Sequence, residues 1–338
     1  MMSPTASAFS DAAWMRAVLA HVPHASTLVN GTEPGPFGLF AAKESLLPLT
    51  HLQSVTTALT PCPLPSVTGP VTESDAATFL NDLGEPLVLR GVPAHHPVAE
   101  ALLKGAKHVH VLKTWQRAAL DLSGDFESWM TNNFDHKRRK ELKRLKARLA
   151  EQGTLVLHEL IPGGDLASHI RAFLTVEASG WKGERGTAMA SDSDAARGLS
   201  AGLAAMHRED KVRFWTLRLD GQPVASLFAL VNGGDVVLGK IGYDEVFAKF
   251  SPGVLLIVEA TRCLFEEGLR LADSNAIPGH PMIDRIWRDR ITCMDVVIAG
   301  SAVSAATFSV VARYHALKDT ARAAAKTIYL RLTGRRAS

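Results

Sequence analysis

Three successive runs in which apolar residues predominate mark the second half of the chain, Val212 to Leu219, Pro223 to Val231 and Val236 to Tyr243. Each is rich in the β-branched and aromatic residues that suit a pleated surface. Asp220-Gly221 separates the first two, and Asn232-Gly233-Gly234-Asp235 the next two. Such residues accept the positive φ that tight hairpins require, so the runs are expected to form an antiparallel meander. The period then changes. Ser251-Pro252-Gly253 precedes a nearly continuous apolar stretch, Val254 to Phe265, which reads as a buried helix with proline in its first turn. Gly268 can stop that helix, and Leu269 to Asp273 can return as a strand parallel to the third run.

Two neighbouring parallel strands that separate at one end leave backbone groups on the third strand unpaired, and an amide-bearing ligand can add to that edge. The start of the following helix would offer free N–H groups to a phosphate. Coenzyme A has both parts, a pantetheine arm with amides and a pyrophosphate.

The text around these elements resembles the Gcn5-related N-acetyltransferase (GNAT) superfamily, in the branch associated with cellulose and exopolysaccharide biosynthesis and related to the Fem-type transferases. The similarity rests on Trp129, Phe134 and Lys137-Arg138-Arg139, then Glu177-Ala178-Ser179-Gly180-Trp181-Lys182-Gly183. It continues with Leu219-Asp220-Gly221-Gln222-Pro223-Val224-Ala225, Lys240-Ile241-Gly242-Tyr243-Asp244-Glu245, Ser251-Pro252-Gly253 and Asp273, over roughly residues 126–300. The resemblance implies an α/β fold of the α+β mixed-sheet kind, the GNAT-like acyl-CoA N-acyltransferase fold, in two tandem halves with a degenerate first half. It also implies transfer of an acyl group from acetyl-CoA or another acyl-CoA to an amine or hydroxyl of a small-molecule acceptor.

Two departures stand out. The family's phosphate loop is Arg/Gln-x-x-Gly-x-Gly/Ala, whereas this chain has Lys249-Phe250-Ser251-Pro252-Gly253-Val254, in which the proline removes one donor. Many relatives place a tyrosine just after the last core strand to protonate the leaving thiolate. Here that stretch is Asn275 to Pro281, without tyrosine, and His280 or a water would have to substitute.

At 338 residues the chain exceeds one average domain, so two are expected. The expected division is a degenerate amino-terminal half over 1–125, a basic linking helix over 126–152, an acyltransferase domain over 153–311 and a basic amphipathic helix over 312–338. In the first half, Pro86 to Arg90, Pro97 to Lys104 and His108 to Leu112 read as strand, helix and strand, repeating the later order in miniature. Asp125 to Gln152 reads as helical, Thr154 to Leu160 as a strand and Asp165 to Ser179 as a helix.

The hydrophobic share of 46% with 21% charged residues is that of a globular protein with a large core. Three scattered cysteines, Cys62, Cys263 and Cys293, show no paired spacing and fit a reducing cytoplasm. No run approaches the about 18–20 apolar residues that a membrane-spanning helix needs. The net charge is only +3, but eight of the thirteen residues from His136 to Arg148 are Lys or Arg. Leu142, Leu145 and Leu149 form an apolar stripe on that helix and leave the cations outward. A solvated face is the plain interpretation. Contact with RNA, another polyanion or an anionic membrane surface is the functional one.

Transfer from a thioester needs an oriented acceptor, a base and donors for the developing oxyanion. Asp273, Tyr243 and Glu177 are the catalytic candidates, with Tyr243 and Asp244 expected opposite Asp273 across one gap. Lys249, Ser251, Gly253, Val254 and Leu255 are the cofactor-binding candidates, and Trp181, Lys182, Lys240 and Asp244 the acceptor-binding ones. Each also has an ordinary role: Asp273 as a turn cap, Tyr243 as a packed strand end, Trp181 as a helix anchor. His108 and His110 share a strand face without an evident third ligand, so no metal is expected. A module that keeps the fold without transfer activity, docking on nucleic acid or membrane, is the alternative of a different class. Aminoacyl transfer from tRNA is a third.

Overall fold

The computed structural model describes residues 8–21, 36–61, 64–179, 189 and 193–333. Its strands are β1 (Phe37–Gly38), β2 (Ala41–Leu46), β3 (Leu49–Ser54), β4 (Ser66–Val67), β5 (Leu87–Pro93), β6 (His108–Asp121), β7 (Leu155–Glu159), β8 (Val212–Leu219), β9 (Gln222–Asn232), β10 (Asp235–Tyr243), β11 (Leu271–Asp273) and β12 (Asp289–Ala299). The helices are α1 (Ala12–Leu19), α2 (Glu73–Leu83), α3 (Pro97–Gly105), α4 (Phe126–Asn133), α5 (His136–Ala150), α6 (Leu166–Ala178), α7 (Ser193–His207), α8 (Pro252–Glu266) and α9 (Ala305–Thr333). The chain packs into two compact units, Met1–His24 with Arg117–Ile291 and Ala25–Gln116 with Thr292–Ser338. Two of the division points fall within strands, one in β6 and one in β12.

In the first unit β7, β8, β9 and β10 pair antiparallel in sequence order, which is the expected meander with one strand added before it. β11 pairs parallel to β10, with α8 as the crossover, and the end of β6 pairs antiparallel to β11. One sheet face, including Trp215, Leu217, Leu227 and Leu238, packs on α8 and on the Leu142, Leu145 and Leu149 stripe of α5. Phe214 and Phe228 face the other way and meet Phe173 of α6, with ring centroids 5.6–6.3 Å apart. α1 packs on α7 through the fully buried Trp14. The helical stretch expected over 125–152 is two helices. Phe134 adopts extended backbone, and Asp135 restarts the chain as an N-cap, accepting from the Arg138 N–H.

The second unit repeats this order. β2 and β3 form an antiparallel hairpin, α2 follows, and β5 returns parallel to β3 with β12 antiparallel on its far side. The internal repeat is therefore present but lies one element earlier than expected: α2 takes the place of α8, whereas the sequence pattern assigned that role to α3. The reason is the register of β5, whose partners are β3 and β12.

A buried polar chain threads this unit. Arg90 binds Asp295 at 3.0 Å and Asp319 at 2.5 Å, and its Nη2 lies 3.0 Å from His315 Nδ1. Because arginine only donates, His315 Nδ1 must accept; its Nε2–H then donates to His51 Nε2 at 2.8 Å. Burial lowers the pKa of His51 and takes that of His315 down to about 4. His96, which caps α3 by accepting from Val98 N–H, is also brought to about 4 by burial.

These imidazoles are neutral in the fold but bind protons once unfolded, below about pH 6.5. Their contribution is complete above that pH and is lost progressively as pH falls towards about 4. The melting temperature is therefore expected to drop by several degrees between pH 6.5 and 4. His96→Asn, which retains a capping oxygen, should flatten part of that slope in calorimetric melts. An unchanged slope would remove His96 from the account.

Candidate functional site

The first unit is organised around the short pairing of β10 with β11. Asp235, Val236 and Val237 pair with Leu271, Ala272 and Asp273, and there the parallel ladder ends. β10 runs on to Tyr243 with β9 on one side and, among the described residues, no second strand paired on the other. Where the ladder ends, Gly239 and Lys240 together oppose Phe228, one extra residue that bends β10. A Cβ on Gly239 would lie 2.1 Å from the buried Phe228 ring, so this bulge tolerates only glycine without repacking. At Gly242 a Cβ would come within 3.0 Å of the Glu177 backbone, and its absence lets α6 approach the end of β10.

β11 leaves the sheet at a buried ion pair. Arg117 Nη2 donates to Asp273 Oδ2 at 2.5 Å, both side chains no more than 5% exposed, and Asp273 Oδ1 accepts from Asn275 N–H at 2.9 Å. Asp273 therefore stands where the strands part, but as a buried, hydrogen-bonded carboxylate rather than an open one at the mouth of the cleft. Nor does Tyr243 lie opposite it. Asp273 pairs with Val237, and Tyr243 comes six positions later along β10, about 20 Å away at the rise of an extended strand.

Tyr243 instead meets the start of α8. With Ser251, Pro252, Gly253, Val254 and Met282 it lines a cavity of about 330 Å³. Ser251 sits in the left-handed region at φ 52°, folding the chain back so that the helix end faces this space. Pro252 has no N–H, and Leu255 N–H bonds Ser251 C=O at 3.1 Å, so the donors presented by the first turn are those of Gly253 and Val254. Arg138 from α5 and Arg285 complete the walls. Among the described residues, neither guanidinium has a carboxylate or carbonyl partner. The cavity thus brings two backbone donors and two arginines together, a donor set suited to an anion.

Of the remaining candidates, Lys249 is exposed and its Nζ rests 4.9 Å from the Phe250 ring centroid, away from the cavity walls. The side chain of Leu255 is buried in the core. Asp244 Oδ1 accepts from Val246 N–H at 3.0 Å and starts the turn over Glu245–Phe250, so it is a capping residue. Lys240 lies in the bulge. Glu177 is buried and accepts from Met189 N–H at 2.7 Å. Trp181 and Lys182 fall outside the described residues. His280 Nδ1 accepts from Met282 N–H at 3.3 Å, and burial lowers its pKa, which makes it a turn-forming base rather than a ready acid.

Sequence reasoning missed Arg117 and Arg285 and counted Arg138 among solvated cations. The available signal for Arg138 was Asp135 three residues earlier, an N-cap that starts α5 just after α4 has ended at Phe134. His108 and His110 are not brought into any metal-type cluster among the described residues; His108 stacks on Phe308. Glu44, His51 and His315 do place ligand-type atoms within 4.8 Å of one another. There the two ring nitrogens of His315 already face protein partners, Nδ1 towards Arg90 and Nε2 towards His51.

Removing the Asp273 carboxylate would leave Arg117 buried and uncompensated. Asp273→Ala is expected to cost about 3–5 kcal/mol in urea unfolding, and a combined replacement of both residues by apolar ones should recover much of it. A loss under about 1 kcal/mol would show that the pair is not what secures the end of β11. Gly239→Ala should cost about 1–3 kcal/mol in the same measurement through overpacking against Phe228.

Comparison with known proteins agrees with this geometry. The model of the acetyltransferase (GNAT) domain family matches residues 136–277. The C-terminal domain (DUF2156) of a proposed lysylphosphatidylglycerol synthetase from Agrobacterium fabrum superposes with a TM-score of 0.53 at 11% identity, covering 91% of this chain and 96% of that one. FemX superposes with a TM-score of 0.54 at 8% identity, covering 88% and 92%. At such identities the likeness is one of fold. No curated protein matches the sequence. The stretch similar to the acetyltransferase (GNAT) domain, residues 136–277, is thus the one in which parallel strands part beside a helix start.

Proposed function

We propose that the protein transfers an acyl group from acyl-coenzyme A to the amine of a small acceptor, a sugar or amino-acid derivative, by direct attack. The observation that carries this is the unpartnered edge of β10, which runs from the end of the parallel ladder to the cationic corner at the start of α8. The about 20 Å between those points suits an extended pantetheine arm, with phosphates at the corner and the thioester at the bulge.

In this arrangement the donor's amides add to the edge of β10 while Gly253, Val254, Arg138 and Arg285 hold the pyrophosphate. Pro252 removes one donor that the family's loop would supply, and the two guanidinium groups offset the loss. The acceptor nitrogen bonds to the thioester carbon as the C–S bond breaks. The departing sulfur takes up the proton that the amine releases, giving an amide and free thiol. The extra residue of the bulge orients backbone N–H groups of β10 towards the carbonyl oxygen where charge develops. Arg117 and Asp273 act by position, holding the strands apart at this point. Glu177 and Lys240 flank the acceptor side, and Tyr243 packs beside the donor's phosphate end.

A second reading draws on α5. Lys137, Lys140 and Lys143 are exposed, and none has a carboxylate partner among the described residues. That face is suited to a polyanion, and aminoacyl-tRNA would then be the donor.

Acetyl-CoA at a hundred times its dissociation constant should add about 2.7 kcal/mol of stability and raise the melting temperature by several degrees. A panel of acyl-CoAs that leaves the melt unmoved would eliminate the first reading. Retention of tRNA with a steep salt dependence and no coenzyme A affinity would install the second.

A further inference from the structure

The helix α9 is apolar on two opposite faces. Phe308, Val311, Ala312 and His315 turn inward, the first three packing with Val88, Val297, Ala299 and Val303 in one cluster. Val310, Leu317, Ala321, Ala324 and Ile328 recur at intervals of seven, four, three and four, which gathers them on the other side of the helix. That stripe is uncovered: Val310, Leu317 and Ile328 are 50%, 70% and 57% exposed. Over 321–329 every residue is exposed, so these turns are bare all round. The direction in which the stripe faces is nevertheless fixed, because Asp319 accepts from Arg90 at 2.5 Å and His315 meets His51 in the core.

The same helix is cationic. It carries Arg313, Lys318, Arg322, Lys326 and Arg331 against one carboxylate, Asp319, which Arg90 already holds. Lys318 Nζ lies 3.7 Å from Glu44, whereas Arg313, Arg322 and Lys326 are exposed and within ion-pair distance of no carboxylate among the described residues. This charge selects the partner. A second copy of the helix laid along the stripe would set cations against cations, with no acidic residue on either flank to pair with them. A nucleic acid would engage the cations and leave three exposed aliphatic side chains in water. An anionic lipid surface engages both. The aliphatic side chains enter at headgroup level, and a helix about 10 Å across keeps its cations within about one Debye length of the lipid charge.

We propose that the outward face of α9 docks in the plane of an anionic bilayer surface. This goes beyond the acyl-transfer reading and is separable from it, since no residue of α9 lines the cavity at the start of α8. The helix lies on the bilayer rather than crossing it: no helix among the described residues is long and apolar enough to span one. A few aliphatic side chains hold weakly by themselves, and charge attraction fades with salt, so the docking is reversible and needs both.

Co-sedimentation of the full chain with lipid vesicles tests this. Vesicles of mixed phosphatidylglycerol and phosphatidylcholine should bind it at least about tenfold more tightly than phosphatidylcholine alone, with the difference shrinking as salt is added. Leu317→Ser/Ile328→Ser, at exposed positions, should keep the melting temperature and lose at least about tenfold in affinity for the mixed vesicles. Arg322→Gln/Lys326→Gln should also weaken binding and make its salt dependence shallower. Equal binding to the two kinds of vesicle, or binding to neither, would overturn the proposal. Mixed-vesicle affinity that Leu317→Ser/Ile328→Ser leaves intact, or tighter capture of a single-stranded oligonucleotide than of the vesicles, would overturn it in favour of a nucleic-acid surface. A dimer in sedimentation velocity that the same pair of substitutions dissolves would replace the lipid with a second copy of the chain.

Discussion

The parallel ladder between β10 and β11 is three residues long, and the acyl transfer proposed for this protein depends on its ending there. Had β11 run on beside β10, its backbone would have consumed the edge that is now available to a ligand. Two features stop it. Asp273 is fastened to Arg117 and to the Asn275 N–H, which turns the chain out of the sheet. On the partner strand the extra residue at Gly239 and Lys240 bends β10 away. A buried charge pair is not a cheap way to stabilise a fold. Its value here is geometric, since it fixes the place where two strands separate.

The opposite end of that edge is governed by charge. A proline in the first helical turn is conformationally favourable, but it withdraws a donor from the one place in the unit where phosphate is best received. The guanidinium groups of Arg138 and Arg285 stand around the same space, from two segments well separated in sequence. A site assembled in this way is less dependent on loop backbone and more dependent on side-chain charge. Its ligand binding should accordingly be more sensitive to ionic strength than that of a glycine-rich loop.

The two units share an order of elements without sharing words of sequence. Hairpin, crossover helix and parallel return recur as β2, β3, α2 and β5 and as β9, β10, α8 and β11. In the second unit the corresponding polar investment is the Arg90, His315 and His51 chain, whose partners are internal and whose imidazoles burial keeps neutral. One copy of the architecture leaves part of a strand without a second neighbouring strand among the described residues, and the other has its polar groups turned inward.

Local patterning determined a good deal by itself. The meander was legible because residue type and Gly-containing turns are both short-range properties, and α8 was legible because Pro252 and a nearly continuous apolar run leave few alternatives. Ser251, Gly253 and Val254 line one cavity because they are neighbours at the start of α8. Register was a different matter. That Asp273 pairs with Val237, leaving Tyr243 six positions away, depends on how far β11 slides along β10, and no local rule sets that distance. Partners distant in sequence were equally hidden: Arg117 on Asp273, Arg285 beside Arg138, Glu177 against Gly242. Hydrophobic period reports which face of an element is buried, but the meeting of two charged side chains more than a hundred residues apart is decided only when the sheet closes and its packing places them together.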